Sequence, residues 1–224
     1  MKAKTYAVLS VLFSTLLMCV VDGILQPPYL YKSLIKIVLF LLLPLLYFVL
    51  YKGKGTYLKK LFSFRMRDVL MALALGVGVF SVVMGAYFLL RNYIDLSGIR
   101  DSLTAGAGVS AENFLYVAVY ISFVNSLLEE FFFRGFAFLT LKKEMGRRFA
   151  YLFSSAAFAL YHVGMTGGWF NFYIYILSIV GLFLGGCIFN FLNERSESIY
   201  PSWIVHMFAN FAINTVGFIL FGIL

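Results

Sequence analysis

The chain has 224 residues, 62% of them hydrophobic and 12% charged, where soluble domains average roughly 45–50% apolar and about 25% charged. This excludes a soluble domain carried on a single anchor, because the apolar runs are long and follow one another with short polar breaks. The formal net charge is +8, but the basic residues gather in loops between apolar runs, where they set topology and touch anionic lipid, and a nucleic-acid partner is excluded with them.

Seven apolar segments are predicted, running from about Tyr6 to Leu25, Leu34 to Tyr51, Val69 to Leu90, Phe114 to Leu141, Phe149 to Val163, Trp169 to Leu192 and Ile199 to Leu224. The expected fold is an all-α, polytopic membrane bundle of about seven transmembrane helices, one membrane domain over residues 1–224 without linker, repeat or low-complexity tract. The first segment follows Lys2 and Lys4 as a signal peptide would, yet no small-residue cleavage site follows it. In Leu16-Leu17-Met18-Cys19, a poor lipoprotein box, Met18 stands where a small residue is needed, so a retained helix is expected. Cys19 and Cys187 each fall inside an apolar segment and read as packing residues rather than a disulfide or metal framework. Gly76, Gly78, Gly85, Gly181, Gly185 and Gly186 read as close helix contacts.

Orientation follows from lysine and arginine counted loop by loop. Lys2 and Lys4 precede the first segment, Lys52, Lys54, Lys59, Lys60, Arg65 and Arg67 follow the second, and Lys142, Lys143, Arg147 and Arg148 follow the fourth. These alternate loops are assigned to the cytoplasm, with the loop of Glu194, Arg195 and Glu197 on the same side. The opposite loops carry Lys32 or the mixture Arg91, Asp95, Arg100, Asp101 and Glu112. The N-terminus is then inside and the C-terminus outside, and the lack of a targeting extension favours a bacterial plasma membrane over an organelle.

The fourth segment contains Leu128-Glu129-Glu130-Phe131-Phe132-Phe133-Arg134-Gly135. An ionisable residue near the bilayer centre costs roughly 2.5–3.5 kcal/mol, so three together cost on the order of 8 kcal/mol before compensation. Glu130 and Arg134 are four apart and pair along one helix face. Glu129 points about 100° away and finds no charged partner within its own helix, although Asn125 one turn earlier reaches its carboxyl group. A structural ion pair therefore accounts for Glu130 and Arg134 but leaves Glu129 unexplained.

The two histidines of the chain fall in two further apolar segments, His162 in Phe158-Ala159-Leu160-Tyr161-His162 and His206 in His206-Met207-Phe208-Ala209-Asn210. A lone histidine on an apolar helix is usually a core residue, but both of two beside a carboxylate helix point to a shared pocket. His206, Asn210 and Asn214 repeat every four residues and share a face. Depth agrees: Glu129 and Glu130 lie roughly 18 Å before the basic loop that follows them, and His162 about 20 Å beyond it. His206 lies only about 10–12 Å into its segment, behind Pro201.

Glu129-Glu130 with Arg134, Phe158 with His162, and His206 with Asn210 resemble, in this order, the motifs of the CAAX protease and bacteriocin-processing family of intramembrane endopeptidases, which includes the Ras-converting prenyl-protein protease. The resemblance covers about Phe114 to Phe218, so residues 113–224 read as the catalytic helices and residues 1–112 as variable N-terminal helices. It implies hydrolysis of a peptide bond in a membrane-embedded, membrane-associated, lipidated or leader peptide. It also implies roles: Glu129 and His162 activate a water, His206 and Asn210 stabilise the oxyanion, and Glu130 with Arg134 supports them. No cofactor is expected. The residue types permit a zinc site, but the His-Glu-x-x-His spacing is absent and Arg134 competes for the same charge. Two other readings stay open: a non-catalytic scaffold or regulator of the same fold, and a transporter or proton relay. The second would bring an internal repeat, and none is found. Oligomeric state has no signature in the sequence.

Overall fold

In the computed structural model the described residues are 2–52, 56–106 and 108–224. Lys54, counted above among the basic loop residues, lies outside them, as does the side chain of Lys52. Seven long helices organise the described residues: α1 (Ala3–Leu25), α2 (Tyr29–Tyr51), α3 (Met66–Leu90), α4 (Phe114–Met145), α5 (Arg147–Thr166), α6 (Phe172–Ser196) and α7 (Tyr200–Leu220). Short helices, Thr56–Leu61 and Ser97–Asp101, lie in the connections, and no strand occurs among the described residues. In lipid a helix satisfies its own backbone polar groups, so apolar runs of this length have no other stable form.

Local chemistry sets the ends. Gln26 takes a left-handed conformation, φ 42°, after α1, and Pro28 precedes α2, where its missing N–H costs nothing. The proline lets α2 begin at Tyr29, five residues before the apolar run at Leu34, so Lys32 is helical rather than part of a loop. Gly146, at φ 90°, turns α4 into α5 through a conformation that disfavours any side chain. Asn171 caps α6, its Oδ1 accepting from Ile174 N at 3.1 Å.

The consecutive helices α4, α5 and α6 alternate in direction. Ser154 Oγ donates to Phe133 O while Tyr161, two turns later, reaches back to Glu129, so α5 runs antiparallel to α4. Asn190 and Cys187 of α6 bond Ser155 of α5, and Glu194 bonds Arg147, so α6 is antiparallel to α5. Six helices are apolar and long enough to cross a membrane. The expected seventh is α5, whose 20 residues span about 30 Å. Its buried Ser154, Ser155, Tyr161 and His162 face protein, which lowers its hydropathy without exposing polar groups to lipid. The chain is an all-α integral membrane protein.

Burial is unequal, and the charges follow it. In α4, 44% of the most apolar 18-residue stretch is buried, against 6% in α6 and 11% in α3, so the glutamates ride on the most enclosed span. Around α4 an aromatic core joins α1, α2 and α5, with Phe40 stacked on Phe132 at 4.1 Å and Tyr161 packed edge-on to Phe40. Of the six glycines expected at helix contacts, Gly76 meets Phe208 of α7 and Gly186 meets Ser155 of α5. Gly78, Gly85, Gly181 and Gly185 have nothing within 4 Å of a Cβ position, which corrects the expectation for those four: they lie on faces turned away from the bundle. Cys19 and Cys187 are free and half-buried, as packing residues should be.

Candidate active site

Helix α4 winds as a π-helix over Tyr120–Asn125 and again over Glu130–Thr140. Wider turns misalign the backbone ladder and leave carbonyls open to outside donors. Helix α7 bonds two carbonyls of the first stretch, Asn210 Nδ2 donating to Ile121 O at 3.2 Å and Trp203 Nε1 to Phe123 O at 3.3 Å, and one in the α-helical turn before it, Asn214 Nδ2 donating to Ala118 O at 3.2 Å. These bonds fix the polar face of α7, with His206 in its middle, against the glutamate helix.

Glu129 uses its two oxygens differently. Oε1 accepts from Asn125 Nδ2 at 2.8 Å, the neighbour one turn earlier that the spacing predicts, from Tyr161 OH at 3.2 Å and from Lys36 Nζ at 3.4 Å. Oε2 faces two imidazoles, with His206 Nε2 at 3.8 Å and His162 Nε2 at 4.0 Å. His162 Nδ1 lies 2.8 Å from Phe158 O. A carbonyl only accepts, so Nδ1 carries a proton and donates it to Phe158 O, which leaves Nε2 on the side of Glu129.

Glu130 turns the other way. Its Oε1 is 2.9 Å from His206 Nδ1, and its Oε2 accepts from Ser202 Oγ and lies 3.4 Å from Arg134 Nε. Ser202 is held in turn by Asn193, whose Nδ2 donates to its Oγ at 2.6 Å. Arg134 is fully buried, and its three guanidinium nitrogens lack hydrogen-bond geometry to any acceptor among the described residues. Its contact with Glu130 is therefore an ion pair at a distance, supplemented by the rings of Phe158 at 4.1 Å and Phe189 at 4.9 Å beneath the guanidinium.

Helices α4, α5 and α7 thus bring Glu129, Glu130, Arg134, His162 and His206 together at one depth. Asn210 sits one turn beyond His206 on the same face, with its amide nitrogen directed to Ile121. The apparent shallowness of His206 has a structural cause: Ser198, Ile199 and Pro201 are themselves buried, so α7 starts well inside the bundle. Four residues of the site escaped sequence reasoning. Lys36 carries the signal that singled out Glu129, a charge inside an apolar run, whereas Tyr161, Ser202 and Asn193 are residue types too common in such helices to stand out. Among the described residues no set of three or more histidine, cysteine and acidic side chains has a metal-holding arrangement.

A family model, the Rce1-like type II CAAX prenyl endopeptidases, matches residues 111–212, slightly under half of the chain and the stretch that carries all seven motif residues. No curated protein and no solved structure matches the chain. Over residues 111–212 the chain is similar to the Rce1-like CAAX prenyl endopeptidases.

Proposed function

We propose that this protein is a glutamate-dependent intramembrane endopeptidase that cuts a membrane-associated, lipidated or leader peptide. The observation that carries this reading is the division of labour on Glu129: Oε1 is occupied by three donors while Oε2 is turned to both imidazoles. A water held between Glu129 Oε2 and His162 Nε2 loses a proton to this pair as its oxygen bonds the scissile carbonyl carbon. The carbonyl oxygen becomes an oxyanion, stabilised by the Nε2 edge of His206, a ring that Glu130 holds at Nδ1, and by the second N–H of Asn210. The C–N bond then breaks as the proton passes to the leaving amine.

We propose that this proceeds without a metal. The ammonium of Lys36, 3.4 Å from Glu129 Oε1, already pairs with the carboxylate that zinc would need, and would repel a divalent cation drawn to the same group between Oε2 and the imidazoles. We further place the basic end of the bundle in the cytoplasm of a bacterial plasma membrane, with the substrate entering between helices and cut toward that side. In proteoliposomes with a membrane-peptide substrate pool, Glu129→Ala and Glu129→Gln should abolish cleavage while remaining inserted and monodisperse. His162→Ala and His206→Ala should each lose most turnover, and chelation should leave the native protein active. Cleavage retained in both Glu129 variants would remove the proposed base.

A further inference from the structure

We infer that Lys36, on α2 and outside the matched region, is a positioning residue that locks the Glu129 carboxylate with Oε2 toward the imidazoles. This inference rests on the peptidase reading above. Lys36 is 8% exposed inside a membrane helix, and such a charge is costly unless a partner is in place. Its partners are all at the site. Nζ is 2.5 Å from Asn125 Oδ1 and 3.4 Å from Glu129 Oε1, and it stands 4.9 Å over the Tyr161 ring.

These contacts close a ring. Lys36 donates to the Asn125 carbonyl oxygen, which fixes the Asn125 amide so that its Nδ2 must face Glu129 Oε1, and Tyr161 donates to the same oxygen from α5. Without the ammonium Asn125 is free to flip, and the carboxylate is free to rotate either oxygen toward the water. Lys32, one turn earlier on α2, provides the contrast: it pairs with Asp22 of α1 at 3.2 Å, away from the glutamates. The N-terminal helices thereby contribute to the reaction centre a group that the catalytic half does not contain.

The test compares Lys36→Met, Lys36→Arg and Lys32→Met in the cleavage assay, with Glu129→Gln as the inactive reference. Lys36→Met should lower kcat at least tenfold with KM changed less than twofold, Lys36→Arg should recover a substantial part, and Lys32→Met should stay within twofold of the native enzyme. Full kcat in Lys36→Met, or an equal loss in Lys32→Met, overturns the assignment while leaving Glu129 as the base; active Glu129→Gln instead overturns the peptidase reading itself. Should Lys36→Met fail to fold, Lys36→Met combined with Glu129→Gln decides. Recovery of a folded protein when both charges are removed supports the pairing, and failure of the double variant overturns it.

Discussion

Glu129 and Glu130 are adjacent in sequence and about 100° apart around their helix, and that angle alone divides their work. Glu129 meets Asn125, Tyr161, Lys36 and the Nε2 edges of both histidines, whereas Glu130 meets Ser202, Arg134 and the Nδ1 edge of His206. A similar division separates the two asparagines of α7. Both dock onto α4 carbonyls, but Asn214 also takes Ser122 Oγ at 3.0 Å, which uses up its donors, while Asn210 keeps one N–H beyond its bond to Ile121. Asn210→Ala should therefore cost about 10²–10³ in kcat, the usual effect of an oxyanion donor. Asn214→Ala should leave kcat near the native value and lower stability by about 1–3 kcal/mol through unpaired buried acceptors. Equal kcat losses would assign both to docking. The acid and imidazole groups were readable in the sequence because each violates the apolar rule of its segment. Ser202 and Tyr161 violate nothing, since hydroxyl side chains are ordinary in buried helices, and only the fold reveals what they touch.

At the scale of the helices, the apolar pattern locates all seven long helices to within a few residues, six of them apolar and long enough to cross a membrane. The misplaced start of α2 follows from Pro28, whose helix-initiating effect outweighs the polar Tyr31-Lys32-Ser33 stretch. The π-winding of α4 has no marker in the sequence, and neither do the donors that α7 brings to the Ile121 and Phe123 carbonyls of its first stretch. Close approach is equally hidden. Gly164 of α5 lies against the Cys19 backbone of α1, where an added Cβ would press on the carbonyl oxygen and stand 3.1 Å from Cys19 Cα. Gly164→Ala gains about 1 kcal/mol of helix propensity, but overpacking costs about 1–3 kcal/mol, toward the upper end here because a backbone atom cannot rotate away. Its melting temperature in detergent should fall. Gly181→Ala, with open space around it, should hold or raise that temperature, and matching shifts in the two variants would show that α1 and α5 do not depend on this contact.

Over the whole molecule, the loops expected to share one side do meet at one end of the bundle. Glu197, between α6 and α7, pairs with Lys60 of the Thr56–Leu61 helix and with Lys143 of α4 at 3.8 Å. Ile199 N donates to Leu61 O at 2.9 Å, so the same short helix covers the start of α7 and thereby sets the depth of His206. The hydrogen bond from Lys60, followed by the Lys60 and Lys143 charges, holds the Glu197 carboxyl below its ordinary value of 4.5. A carboxylate with a lower pKa in the folded chain adds stability that is complete above its unfolded pKa and disappears as pH falls through the folded one. The clasp should thus be intact at neutral pH and open under acid, in the carboxylate range of about pH 3 to about pH 5. Melting temperatures measured in detergent from neutral pH downward should fall through that range in the native protein and fall less in Glu197→Gln, which lacks the titrating group at every pH. The difference should also shrink in high salt, because Lys60 and Glu197 are both partly exposed and screened. Parallel curves for the two proteins would assign the acid sensitivity to other carboxylates and leave the seating of α7 to its buried contacts with α4.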